Sequence, residues 1–258
     1  MKKNTWVLLR GLTRERRHWG AFPALFGERV DAERVIALDL PGNGAWHRLP
    51  SLASVDAMAA ACRADLQRQG VAPPYHLLAM SLGAMVACAW GFAHPSELAG
   101  AVLINTSLRP FSPFTQRLRP RNYATLVRLL LARPTAHEWE QAVLQLTSRA
   151  GERSTREAEA EALVDTWVAY RQDNPVSAAN ALRQLVAAAR FRAPAAAPAT
   201  PLLVLASSGD ALVDPRCSAQ LAAQWQCPIS THPWAGHDLP LDDGTWVAAQ
   251  VAEWLGAL

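Results

Sequence analysis

The chain has 258 residues, half of them apolar, with 25 basic and 22 acidic side chains and a net charge of +3. A chain of this kind can bury a large core, which excludes disorder and a fibrous fold and fits one α/β domain or one domain with an insertion. The basic residues are spread along the sequence, so nucleic acid is not expected as a partner.

After Met1-Lys2-Lys3 the first apolar run, Trp6 to Leu9, stops at Arg10. It is too short for the apolar core of a signal peptide and reads as a first strand. No stretch reaches the roughly 18 uninterrupted apolar residues of a membrane span, so a soluble protein without a membrane partner is expected. Arg34 to Leu38 predicts a second strand, ending in the turn Asp39-Leu40-Pro41-Gly42-Asn43-Gly44. There Pro41 and Gly42 supply turn chemistry, and Asp39 is expected to accept nearby backbone N–H groups in a structural role. Helical spacing follows over Ala53 to Gln69, then a strand at His76 to Ala79, a small-residue helix over Leu82 to Phe92, and a strand at Ala101 to Ile104.

Between Ser107 and Arg192 the strand signal vanishes. Tyr123 to Ala132, Thr135 to Leu146, Thr155 to Arg171 and Ser177 to Phe191 predict successive helices. Pro110, Pro113 and Pro120 mark the entry to this block, and the Ala/Pro stretch Ala193 to Pro201 marks its exit. Alternation then resumes with a strand at Leu202 to Leu205, a helix at Cys217 to Trp225, a strand around Pro228 to Thr231 and a helix at Thr245 to Leu255. Short apolar runs alternating with helices predict a doubly wound, mostly parallel sheet with helices on both faces. The organisation expected is a core of residues 1–106 and 193–258 with a helical cap insertion at 107–192.

Chemistry enters at Ala79-Met80-Ser81-Leu82-Gly83, between a predicted strand and a predicted helix. A serine on such a sharp turn needs small neighbours and holds its hydroxyl clear of the sheet, and Ala79 meets the size requirement. The Leu82 N–H, opening a helix, points to where an oxyanion would form. The acid candidate is Asp210, the first acid after the apolar strand Leu202 to Leu205 and preceded by Gly209; Asp214 competes, since either could serve a turn or cap before Pro215. His237 lies in the Gly/Pro-bounded loop Ala235 to Pro240. Nucleophile, then acid, then histidine is the chain order of one triad type and differs from those of chymotrypsin and subtilisin. The other histidines, His18, His47, His76, His94, His137 and His232, lack such a context and are read as structural or surface residues.

Taken together these segments resemble the α/β-hydrolase superfamily, in its serine hydrolase and esterase branch with a helical cap. Arg10-Gly11-Leu12 resembles the family's His-Gly oxyanion loop, the Asp39 turn its Asp-x-Pro-Gly-x-Gly turn, and Gly236-His237-Asp238-Leu239-Pro240-Leu241-Asp242 its histidine loop. The resemblance implies the α/β-hydrolase fold and a triad of Ser81, Asp210 and His237, with Leu12 and Leu82 as backbone donors of an oxyanion hole. Arg10 stands where the family usually has histidine, and it is expected to face the pocket or pair with an acid. Ser81 excludes relatives that need a carboxylate nucleophile at the elbow.

The expected activity is hydrolysis of a small ester or thioester through an acyl-enzyme. A carbon–carbon hydrolase or lyase of the same family and a non-catalytic ligand-binding protein on the same fold are the alternatives. Trp139 and Trp167, in the cap, are candidates to line an apolar acyl pocket, although core filling is the plainer role for tryptophans. The cap carries 13 Arg and no Lys against 8 acidic residues, a charge of +5 that leaves −2 elsewhere. Glu–Arg pairs such as Glu157 to Glu161 with Arg153 and Arg156 would account for part of this. Steering of an anionic substrate or an acidic carrier protein is the sharper idea. No metal-ligand spacing occurs, so neither metal nor cofactor is expected. Cys62, Cys88, Cys217 and Cys227 show no C-x-x-C spacing, which points to reduced thiols and a cytoplasmic setting.

Overall fold

The structure is a computed structural model that describes residues 4–132, 134–149 and 157–258. Strands β1 (Thr5–Leu9), β2 (Arg34–Leu38), β3 (Tyr75–Met80), β4 (Leu98–Ile104), β5 (Leu202–Ser207) and β6 (Ile229–His232) form one parallel sheet in the order β2-β1-β3-β4-β5-β6. The predicted strands are all present, each within a few residues of its expected limits.

Strand β3 is buried along its whole length, as the apolar run Leu77 to Met80 requires in the middle of a doubly covered sheet; His76, its one strongly polar member, stacks on Trp6. Its side chains alternate between two cores. Leu77 and Ala79, with Val7 and Leu9 of β1, face helices α2 (Val55–Arg68), α3 (Leu82–Ala93) and α9 (Arg216–Trp225). Leu78 and Met80, with Trp6 and Leu8, face α1 (Phe22–Arg29) and α10 (Leu239–Gly256). Helix α1 has no counterpart among the predicted elements: it spans eight residues and contains Pro23 and Gly27, so its periodicity is too brief to register. Helix α10 begins earlier than expected, because a first turn from Leu239 joins the main helix across the non-helical Asp243 (φ −154°, ψ 75°).

The chain runs from β1 to β2 on one side and then crosses to β3 on the other, so its winding reverses between β1 and β3. In open parallel sheets the crevice at the carboxyl ends of such a reversal is where functional groups collect. The registers Leu9↔Ala79, Met80↔Ile104 and Ile104↔Leu205 bring the carboxyl ends of the four central strands to one edge.

Between β4 and β5 lie the short α4 (Phe114–Arg117), then α5 (Tyr123–Leu131), α6 (Ala136–Thr147), α7 (Glu157–Asp173) and α8 (Ala178–Arg190). Thr135 caps α6 in a reciprocal capping box with Glu138, and Ser177 caps α8 through Asn180 N. Helices α6 and α7 share a small core of Leu144, Val164 and Trp167. The two ends of the insertion are stitched together, with Arg109 bridging Arg192 and Ala193 N donating to Arg109 O at 2.7 Å. The expected pairs with Arg153 and Arg156, and the expected start of a helix at Thr155, lie outside the described residues. Among the described residues no helix is long and apolar enough to cross a membrane.

Candidate active site

Ser81 terminates β3 and precedes α3 with φ 55° and ψ −116°, a left-handed backbone that a serine adopts only where the surroundings enforce it. The enforcement is visible. Ser81 N donates to Ile104 O at 2.9 Å and Ser81 O accepts from Thr106 Oγ1 at 3.0 Å. Two residues on, a Cβ at Gly83 would lie 2.5 Å from Leu9 O and 2.6 Å from Arg10 O, so only glycine lets α3 start this close to β1. Ala79, in the strand, is fully buried, which is the small-size requirement read from the sequence.

The Gly11-Leu12 loop leaves β1 beside Ser81: a Cβ at Gly11 would come within 3.1 Å of Ser81 Cβ. Among the described residues no hydrogen bond takes up the Leu12 or Leu82 N–H. Leu12, Ser81 and Leu82 line one apolar cavity together. Leu12 and Ser81 also line a second, with Arg10, Arg14, Trp139 and His237, of about 770 Å³ including its open mouth. Ser81 therefore stands at the junction of two cavities.

His237 is buried, and its Nδ1 lies 2.7 Å from Asp210 Oδ2. A carboxylate only accepts, so the proton of this bond sits on Nδ1 and Nε2 keeps its lone pair. The other Asp210 oxygen takes the N–H groups of Leu212 and Val213, both at 2.8 Å, which fixes the carboxylate. Burial alone would push the imidazole pKa down; the Asp210 charge and hydrogen bond, helped by Asp238, outweigh it and hold His237 above its ordinary 6.5. Asp214 is otherwise engaged. It receives Arg216 Nε at 3.0 Å and Nη2 at 2.7 Å, and this pairing holds its pKa down at about 2. No hydrogen bond joins Ser81 Oγ to the imidazole among the described residues; such contacts are often loose in unliganded hydrolases.

Arg10 does both things expected of it. Its guanidinium lines the cavity and pairs in a two-pronged fashion with Asp238, Nη1 to Oδ1 at 3.0 Å and Nη2 to Oδ2 at 2.5 Å, while stacking over Trp19 at 4.7 Å. It thus joins the loop after β1 to the loop carrying His237. Trp139 lines the cavity that holds Ser81 and His237, whereas Trp167 lies behind Arg14, 3.9 Å from its guanidinium, and lines a separate cavity with His18 and Tyr170. The Asp39 carboxylate accepts Arg16 N at 2.7 Å and Ala45 N at 3.0 Å, a turn-holding arrangement.

Three residues that the sequence reading did not single out shape the site. Asn105, in a left-handed backbone after β4 (φ 45°), donates through Nδ2 to His237 O at 2.8 Å, Gly236 O at 3.2 Å and Ser207 Oγ at 2.9 Å. An asparagine directly after a buried strand was the available signal, since asparagine tolerates that conformation. Asp242 accepts Gly236 N at 2.6 Å and Ser148 Oγ at 2.5 Å, and Asp238 N donates to Thr147 O at 2.6 Å, so the end of α6 is fastened to the histidine loop. Arg14 enters the cavity wall from the loop after β1, paired with Glu140 of α6. Among the described residues no group of three or more His, Cys, Asp and Glu is placed to hold a metal ion.

Comparison with known proteins agrees with this architecture. The model of the "Alpha/beta hydrolase family" matches residues 6–250. No curated protein matches the chain. Among solved structures, an esterase from Thermogutta terrifontis is 22% identical with a TM-score of 0.74, covering 98% of this chain and 90% of its own. The enol-lactonase from Burkholderia xenovorans LB400 is 17% identical with a TM-score of 0.77 (99% and 92% covered), and an esterase from Rhodococcus sp. ECU1013 is 21% identical with a TM-score of 0.74 (99% and 91%). At such identities these structures share the fold with this chain.

Proposed function

The chain belongs to the alpha/beta hydrolase family, and on that premise we propose that it is a serine hydrolase cleaving a small ester or thioester through an acyl-enzyme. The observation that carries the reading is the His237–Asp210 bond of 2.7 Å, set in the wall of the cavity that Ser81 also lines. Ser81 Oγ attacks the carbonyl carbon while His237 Nε2 takes its proton; the oxyanion is received by the N–H groups of Leu12 and Leu82. As the tetrahedral adduct collapses, His237 returns the proton to the leaving alcohol or thiol. Water then attacks the acyl-enzyme with His237 again as base, and the acid is released. The two cavities meeting at Ser81 suit this division, one for the acyl part and one for the leaving group. Four free cysteines, three of them buried, support a reducing, cytoplasmic setting.

The test is turnover of short p-nitrophenyl esters together with covalent labelling by a fluorophosphonate. Ser81→Ala is expected to abolish both and to leave the circular dichroism spectrum and melting temperature close to wild type, because the Ser81 side chain fills no core. Retained turnover in Ser81→Ala overturns Ser81 as the nucleophile; a wild-type chain that is neither active nor labelled overturns the hydrolase reading and favours a ligand-binding role on the same fold.

A further inference from the structure

Among the described residues, three side chains that line the Ser81 cavity carry a buried N–H donor without a partner: Arg10 through Nε, and, at the side nearest α6, Arg14 and Trp139. Arg14 is 6% exposed and its Nη1 donates to Glu140, but Nη2 has no acceptor; Trp139 is 8% exposed and its Nε1 has none. Both side chains line the cavity shared by Ser81 and His237. Buried donors are nearly always satisfied, because leaving one unmatched forfeits its hydration with no return. Unmatched donors on neighbouring side chains that line one cavity are where acceptor oxygens of a ligand would complete the pairing.

The charge at this wall points the same way. Glu140, 2% exposed, pairs with Arg14 and also lies 3.7 Å from Arg171 Nη1, so one carboxylate faces two guanidinium groups. Arg10, the other cation in the wall, has its charge matched by Asp238, which takes both terminal nitrogens and leaves only Nε without a partner. The balance around Arg14 is one positive charge in excess, next to apolar lining from Leu126, Leu129, Val143, Leu146 and Leu185. Arg14 is moreover held firmly in place, between Glu140 and the Trp167 ring. A rigid guanidinium at an apolar wall binds a carboxylate strongly, and an aliphatic chain suits the rest of the surface.

We propose that this cavity takes an acyl chain ending in a carboxylate, whose oxygens are received by Arg14 Nη2 and Trp139 Nε1 while the scissile carbonyl rests at Ser81. The substrate class is a half-ester or half-thioester of a dicarboxylic acid; water is consumed and the dicarboxylate and an alcohol or thiol are released. The inference rests on the serine hydrolase reading and deepens it.

The experiment uses the full chain and two length-matched series of methyl esters: half-esters of straight-chain dicarboxylic acids, and esters in which a methyl group replaces the far carboxylate. At the best length the half-ester is expected to have a kcat/KM about ten- to a hundredfold higher than its neutral match, the span of a charge-assisted hydrogen bond. High salt should leave this preference in place, because a buried contact is screened far less than surface steering by the arginine-rich cap. Arg14→Gln is expected to lower the ratio about tenfold or more, and Trp139→Phe, which keeps an aromatic ring and removes the N–H, to lower it severalfold. A wild-type chain that hydrolyses neutral esters but shows no preference for half-esters at any length overturns the inference and leaves the hydrolase reading standing. A chain inactive on both series and unlabelled by fluorophosphonate overturns both. Should Arg14→Gln fail to fold, the wild-type ratio and Trp139→Phe decide: a preference that vanishes in high salt, or an unchanged ratio in Trp139→Phe, overturns it.

Discussion

Two aspartates four residues apart, Asp210 and Asp214, show how a residue's partner, not its type, sets its chemistry. Asp210 is fixed by two backbone N–H groups and presents its free oxygen to His237, whereas Asp214 is neutralised by Arg216. Asp210→Asn is therefore expected to lower kcat by about 10⁴-fold, the loss seen when a triad histidine is left in the wrong tautomer, and Asp214→Asn by little; steady-state kinetics on one ester checks both. The raised pKa of His237 gives a second expectation. The imidazole acts as a base only when neutral, so kcat/KM should rise with pH through a value above 6.5. In Asp210→Asn burial acts without the carboxylate's opposing pull, and the residual limb should move to lower pH. Stability carries the matching sign: the contribution of protonated His237 is complete below its unfolded pKa and is lost as pH rises through the raised folded value. A melting temperature that increases across that window in the wild type, and not in His237→Gln, would contradict this.

On the proposed reading, elements divide the labour between chemistry and selection. The sheet edge carries Ser81, Asp210 and His237, while α6 contributes Trp139 to the cavity and α7 contributes Trp167 to the support behind Arg14. Trp139→Ala is expected to shift acyl-chain preference among neutral esters by about 1–3 kcal/mol. Trp167→Ala, emptying the α6–α7 core, is expected to destabilise the fold by about 3–5 kcal/mol with the neutral-ester preference little changed. An ester panel and urea denaturation separate the two effects. At this scale the sequence was informative. Strands β3 and β5 are largely apolar runs followed by polar residues, and the inserted helices from α5 to α8 repeat apolar residues at helical spacing, so both declare themselves locally. Helix α1, with a proline at its start and a glycine inside, and the bent entry to α10 do not.

Across the whole molecule, legibility falls with sequence separation. Ser81, Asp210 and His237 stand out as candidates because each follows a strand and their order along the chain is distinctive, and the structure brings the three to one sheet edge. The Arg10–Asp238 pair spans 228 positions and the Arg14–Glu140 pair 126, and nothing in the local pattern of either arginine names its partner. The excess positive charge of the 107–192 insertion was countable, but its use was not: Arg171 turns inward toward Glu140 and stacks on Trp139 at 4.1 Å instead of facing solvent. Burial of a guanidinium depends on which carboxylate the fold delivers, and that is settled only when distant segments meet.

The fastening of α6 to the histidine loop, through Thr147 O, Ser148 Oγ and the Asp242 carboxylate, has a bearing on how such a protein could be re-engineered. The stitched ends at Arg109 and Arg192 look like convenient splice points at which another set of helices could be grafted onto the same scaffold. A graft made there would remove the acceptor of Asp238 N and two of the groups bound to Asp242, and it would take Glu140 away from Arg14. The inserted helices are thus no interchangeable module. A chimera that keeps the 147–149 segment, or rebuilds its three contacts, is expected to retain the seating of His237; one that discards it is expected to loosen the imidazole.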